Sequence, residues 1–162
     1  MTNRASAVVA CILSLHLANG AHAQESVSDP AFARYVHLME ANQFAEAFDL
    51  IIPAAGAGEP WAQREMTKLT EAVVYPKVHR PETIGPEYAE AMALLINRLQ
   101  RGVEEGNAEA QYALGMKALL AEPTNRELAR DLLTKAAKQN HKGAMDMLIV
   151  MGASNAKGVT SK

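Results

Sequence analysis

The stretch Gly106-Asn107-Ala108-Glu109-Ala110-Gln111-Tyr112-Ala113-Leu114-Gly115 decides how this chain is read. A glycine is followed by a helix-capping residue type, and then Ala110 and Leu114 stand one helical turn apart. Its surroundings, 91–117, align without gaps to 43–69 and to 125–151. The columns read Ala47, Leu95, Ala129, then Ile51, Leu99, Leu133, then Ala55, Val103, Ala137. A turn column follows with Gly58, Gly106 and Asn140, and after it come Ala62, Ala110, Ala144 and Met66, Leu114, Leu148. Four-residue spacing on both sides of a turn describes one helix face, a reversal and a second helix face. Small and apolar residues at that spacing let two helices approach and bury a stripe. Glycine and asparagine are the types that accept a left-handed backbone at a helix C-terminus. The competing explanation is chance register in a chain rich in alanine and leucine. Apolar columns arise easily in such a chain; the turn column does not.

Start and stop signals outline seven helices. Asp29-Pro30 opens the first, over about 30–41, and Asn42 breaks it. A second runs to about Ala55, a third from Pro60 to before Pro76, and a fourth from Pro86 to about Glu105. A fifth covers Asn107 to Ala121. Thr124 and Glu127 form a capping box for the sixth, which ends at Asn140. The last spans about 141–151, with a frayed tail from Gly152. No segment alternates with period two, so the expected class is all-α.

The stretch from Met1 to Gln24 differs from the rest. Arg4 is a short positive region, Ala5 to Leu17 is mostly apolar, and Ala21-His22-Ala23 offers a small-x-small cleavage pattern. This predicts an export signal cut after Ala23, the alternative being a buried N-terminal helix. Its apolar run falls short of the ~20 residues a membrane-spanning helix needs, so no membrane anchor is expected. Cleavage removes Met1 to Ala23, with Arg4 the only charged side chain among them, and leaves Gln24 to Lys162 one charge more negative than the whole chain. The only cysteine, Cys11, goes with the removed segment. Disulfides, thiolate metal sites and a cysteine nucleophile are then excluded, and Cys11 lies too far from the cut to carry lipid. The whole chain, 162 residues at charge −2 and 49% hydrophobic, is of ordinary globular composition. It has no basic cluster, hence no electrostatic footprint for nucleic acid.

At this point the residues resemble the Sel-one-like repeat family, relatives of the tetratricopeptide repeat. Gly106 to Gly115 is similar to the family's helix-opening segment. Lys135-Ala136-Ala137-Lys138-Gln139-Asn140-His141 is similar to its closing segment, with Asn140 where glycine is usual, and Gly58-Glu59-Pro60-Trp61-Ala62-Gln63 resembles a degenerate earlier copy. The resemblance covers about 43–151. It implies an α/α-hairpin solenoid acting as a protein-interaction scaffold in a bacterial envelope. The expected organisation is a signal peptide over 1–23 and a helical-repeat domain over 24–152, with a flexible tail after it. The repeats fall at about 30–57, 59–105 and 107–140, before a capping helix at 141–151. Two connectors depart from the family pattern, Ala121-Glu122-Pro123 and the long Val74–Gly85. The lack of cysteine after Ala23 argues against the family's disulfide-bearing, penicillin-binding subgroup.

The segment from Tyr75 to Pro86 is the first candidate site, since a long loop in a compact repeat protein is unusual and long loops often bind. It carries Lys77, His79 and Arg80 beside Tyr75 and Val78, and its prolines reduce the entropy lost on docking. The alternative is a tolerated connection. Trp61, the only tryptophan, either anchors a partner or covers the junction of the first two repeats. Arg64, Lys68, Tyr112 and Met116 are expected to face outward from the first helices of their hairpins and line a groove. Met145, Met147 and Met151 crowd a last helix that no later repeat covers, which suits adaptable contacts. A Cu(I) site has only His141, one turn before Met145, in its favour.

Enzymatic signatures are missing. His37, His79 and His141 follow no recognised ligand spacing, and Ser26, Ser28, Ser154 and Ser161 are all near the termini of the processed chain. Glu104-Glu105 reads as solvated surface, and Gly56-Ala57-Gly58 is a turn without a phosphate-loop lysine. The expectation is therefore an exported, non-enzymatic helical-repeat protein that binds a protein partner in the cell envelope, as adaptor, regulator or immunity-type inhibitor, without a cofactor. A cell-wall or β-lactam-binding hydrolase and a self-assembling envelope protein are the alternatives.

Overall fold

Asp29 starts the first helix by capping it. Its Oδ1 accepts hydrogen bonds from the backbone N–H groups of Ala31 and Phe32 at 2.7 and 3.3 Å. The computed structural model describes residues 29–75, 86–121 and 123–159. The expected signal segment and the loop residues Lys77, Val78, His79 and Arg80 lie outside the described residues. Within them the chain is all-helical, with seven helices and no strand: α1 (Pro30–Glu40), α2 (Phe44–Gly56), α3 (Pro60–Val74), α4 (Pro86–Glu104), α5 (Ala108–Leu120), α6 (Arg126–Lys138) and α7 (Lys142–Val159). Two details of the sequence reading are corrected. The cap of α6 is Asn125, whose Oδ1 accepts from Leu128 N–H at 3.1 Å, while the Thr124 hydroxyl donates to Ala121 O. The last helix continues to Val159. Gly152 does not stop it, because one helical glycine costs only about 1 kcal/mol and no proline follows.

Four helices end the same way. Asn42, Gly58, Gly106 and Asn140 have φ of 57°, 91°, 81° and 64°. At each, the next residue's N–H reaches back to the carbonyl five positions before it: Gln43 to Leu38, Glu59 to Ala54, Asn107 to Gly102 and His141 to Ala136, at 2.8–3.1 Å. This closure satisfies carbonyls a helix end otherwise leaves unpaired. Gly106→Ala is therefore expected to cost about 1–2 kcal/mol. The added methyl meets nothing within 4 Å, so the whole cost is conformational, readable as a shift in urea midpoint without loss of helix.

The chain divides into two compact units, one to Arg98 and one from Leu99. In the first, α1 packs on α2 and α2 on α3 around Tyr35, Met39, Phe48, Ile51 and Met66, all nearly inaccessible. An Arg98–Asp49 ion pair at 2.8 Å holds α4 to α2 at the surface. In the second, α5 packs on α6 and α6 on α7. Gly115 sets the closeness of α5 and α6: a Cβ there would lie 3.0 Å from Leu133 Cγ and 3.4 Å from Leu132 Cβ.

The aligned columns share their burial. Ala47, Leu95 and Ala129 are fully buried, as are Ile51, Leu99 and Leu133, and Ala62, Ala110 and Ala144. The outer columns are looser. Ala55 and Met66 are buried, whereas Val103, Ala137, Leu114 and Leu148 are half-buried.

Candidate functional site

Of the sequence candidates in the first unit, Trp61 is the largest, and it is packed away. It stands on the first turn of α3, 4% exposed, with its ring 5.8 Å from that of Phe32 and 5.9 Å from that of Tyr35. Both partners come from α1, so Trp61 pins α1 to α3 and offers no surface to an outside protein. The anchor reading is thereby corrected in favour of packing. Arg64, one turn on, is exposed. Lys68 is not a free groove cation, because its Nζ lies 2.9 Å from Glu65 Oε1 and neutralises a carboxylate that is otherwise buried.

Tyr35 shares that interior. Its hydroxyl has no hydrogen-bond partner, and burial, reinforced by the Glu65 charge, pushes the phenol well above its usual range. A raised folded-state value for an acid means the folded state holds the neutral form. Stability is thus complete below the unfolded tyrosine value of about 10 and declines as pH rises above it, by up to about 1.4 kcal/mol per pH unit for this proton. Tyr35→Phe is expected to flatten that alkaline decline and, by removing an unpaired buried hydroxyl, to leave neutral-pH stability unchanged or higher. Urea midpoints measured at pH 7 and above pH 10 check both.

The residues opening the second helix of each aligned copy are Glu59 in the first unit and Asn107 and His141 in the second. Asn107 Oδ1 caps Ala110 N–H at 3.0 Å, and His141 Nδ1 caps Ala144 N–H at 3.1 Å. A capping Nδ1 must be unprotonated, which leaves the ring proton on Nε2, 3.2 Å from Glu109 Oε1. The imidazole also stacks on Tyr112, ring centroids 4.4 Å apart, and Gly143 gives the Tyr112 ring room. Tyr112 is thus half-buried between α5 and the start of α7 rather than lining an open groove. Gln139 completes the arrangement, its Nε2 donating to Gly106 O and to Gln111 Oε1, both at 2.9 Å.

The methionines separate. Met116 is half-buried against the cluster of Ala129, Leu133, Ala136 and Ala144. Met151 belongs to that cluster at 2% exposure, which corrects its assignment to an open face. Met145 is exposed at 40%, and beside it stand Ile149 at 70% and Val150 at 56%, two residues the sequence reading did not single out. Tyr75, just past α3, is also exposed. With His141 committed to the cap and to Glu109, the ring one turn before Met145 has no nitrogen turned to a Cu(I) ion. Among the described residues no three His, Cys, Asp or Glu side chains are grouped to hold a metal, and no helix is long and apolar enough to cross a membrane.

The candidate site that remains is the outward face of α7, with Met145, Ile149 and Val150. Comparison with protein-family models, with curated proteins and with solved structures finds no match to this chain.

Proposed function

We propose that this chain is an exported helical-repeat protein of the Sel-one-like kind that works by binding protein, as an adaptor, regulator or immunity-type inhibitor in the cell envelope. The single observation that carries the reading is the exposed apolar face of α7. Ile149 and Val150 are β-branched and apolar, they stand in water on an ordered helix, and Met145 extends the patch by one turn. Apolar side chains grouped in this way mark contact surfaces, and methionine adapts such a surface to its partner. The residues just past α3, from exposed Tyr75 through Lys77, Val78, His79 and Arg80, are a second proposed contact, with Arg64 on the same helix.

The test is capture from envelope extract with the exported, processed chain as bait, beside Ile149→Lys and a deletion of 76–84. A stoichiometric protein retained by the parent and lost from Ile149→Lys supports the α7 face; loss from the deletion alone moves the contact to the loop. Equal recovery with all three baits contradicts both.

A further inference from the structure

His141 joins two helices by different edges of one ring. On the α5 side its Nε2 lies 3.2 Å from Glu109 Oε1, and its face stacks on Tyr112 with the centroids 4.4 Å apart. On the α7 side its Nδ1 accepts from Ala144 N–H at 3.1 Å. The imidazole and the Glu109 carboxylate are both sheltered, at 13% and 12% exposure. With the ring proton on Nε2, Nδ1 carries the ring's only basic lone pair, so an added proton must arrive on the atom that caps α7. The two sides then respond oppositely. The imidazolium becomes a full ion-pair partner for Glu109 and a cation over the Tyr112 face, both attractive. Toward α7 a donor now faces a donor, and the cap is lost.

The first turn of α7 has little else to hold it. The two helices before it, α5 and α6, open on asparagine caps and carry Glu109 and Glu127 in their first turns. Those carboxylates sit where a helix N-terminus favours negative charge. The first turn of α7 has no acidic residue and begins instead with Lys142 and Gly143. A cation opposes the helix dipole there, and glycine is a weak helix former. Protonated His141 places a second cation at the same end. Without the cap, Ala144 N–H keeps only its bond to the His141 carbonyl at 3.1 Å. Gly143 rests on Tyr112, since a Cβ built there would lie 3.1 Å from Cζ, so the turn in question is one that packs on α5. From α5, the titratable groups facing the ring are Glu109 and Tyr112. Lys135 and Lys138 at the end of α6, and Lys142 and Asp146 on α7, are exposed, and Lys135 is paired with Asp131.

We propose that His141 is an acid-sensitive clip. The neutral ring ties the first turn of α7 to α5, and protonation frees that turn while the ring stays on Glu109 and Tyr112. The position that Asn107 fills with a cap of fixed protonation is filled, in the last aligned copy, by one that titrates.

Nuclear magnetic resonance of the exported, processed chain tests this at about pH 8 and about pH 5, the two sides of the range in which histidine changes charge. The imidazole nitrogen shifts are expected to show Nδ1 unprotonated at the higher pH and both nitrogens protonated at the lower. Hydrogen exchange at Ala144 N–H, corrected for the intrinsic rate at each pH, is expected to lose about fivefold in protection on acidification, the factor carried by one ordinary helix cap. Ala110 and Leu128 N–H, capped by Asn107 and Asn125, are controls within the same molecule and are expected to hold theirs. His141→Asn should remove the response, with circular dichroism showing that the variant folds; if it does not fold, the parent's three amides decide alone. Equal protection of Ala144 at both pH values overturns the proposal, as does a ring whose Nε2 is the unprotonated nitrogen at the higher one. A parallel loss at Ala110 and Leu128 also overturns it, because acid then loosens the whole unit, and so does a His141→Asn chain that keeps the response.

Discussion

Trp61→Ala is expected to lower the unfolding free energy by about 3–5 kcal/mol, the range for removing a buried large aromatic. The indole is 4% exposed and touches Phe32 and Tyr35, so its loss opens a cavity between α1 and α3 that neither ring can refill without leaving the other. Stability for a domain of this size is about 5–15 kcal/mol, so the variant loses a large share of it. The urea midpoint should fall steeply, and Trp61→Phe, which keeps an aromatic ring between the helices, should recover part of the loss. Only a minor change in Trp61→Ala would return the tryptophan to the role of a surface anchor, with its burial energetically idle.

Gly115→Leu carries the second large effect. Even a Cβ at 115 would press on Leu133 Cγ at 3.0 Å, and the three further carbons of leucine have no space between α5 and α6. Leu133 is fully buried, so it cannot swing out to make room. Overpacking of this kind costs about 1–3 kcal/mol or more, and here the helices must also separate, which exposes the cluster of Ala129, Leu133 and Ala136. The expected result is a loss at the upper end of that range, measured by urea unfolding. Gly115→Ala should be much milder, because a single methyl needs a shift of only a few tenths of an ångström and improves helix propensity. Equal stability of Gly115→Leu and the parent would mean that the α5–α6 contact is loose.

The elements legible in sequence were those set locally. Helical spacing marks Ala47, Ile51, Ala62, Ala110, Ala129 and Leu133 as core because one face of a helix is defined by i, i+4 alone. The turn column is legible for the same reason, since a left-handed backbone selects glycine or asparagine whatever the tertiary setting. Met151 was also legible: it stands two helical turns after the buried Ala144, on the same face, and only composition groups it with Met145. His141 could be read from its column, which holds the capping Asn107 one copy earlier.

Trp61 was not legible. Its burial depends on Phe32 and Tyr35 in a helix that lies outside the aligned copies, and no spacing within α3 reveals them. Tyr35 and Glu65 meet for the same reason, from two helices far apart along the chain. The exposure of Ile149 and Val150 depends on which neighbours α7 lacks, and a run such as Met147-Leu148-Ile149-Val150-Met151 looks uniformly apolar in one dimension. Two of its members are in water and one is in the core.

The most direct test of protein binding through α7 is a photo-reactive amino acid placed at position 149 in cells that export the chain, with position 63 on α3 as the control. Irradiation should give a discrete covalent protein adduct from position 149 and none from position 63, and the adduct's mass distinguishes a second copy from another envelope protein. No adduct from position 149, or equal adducts from both positions, would contradict the account.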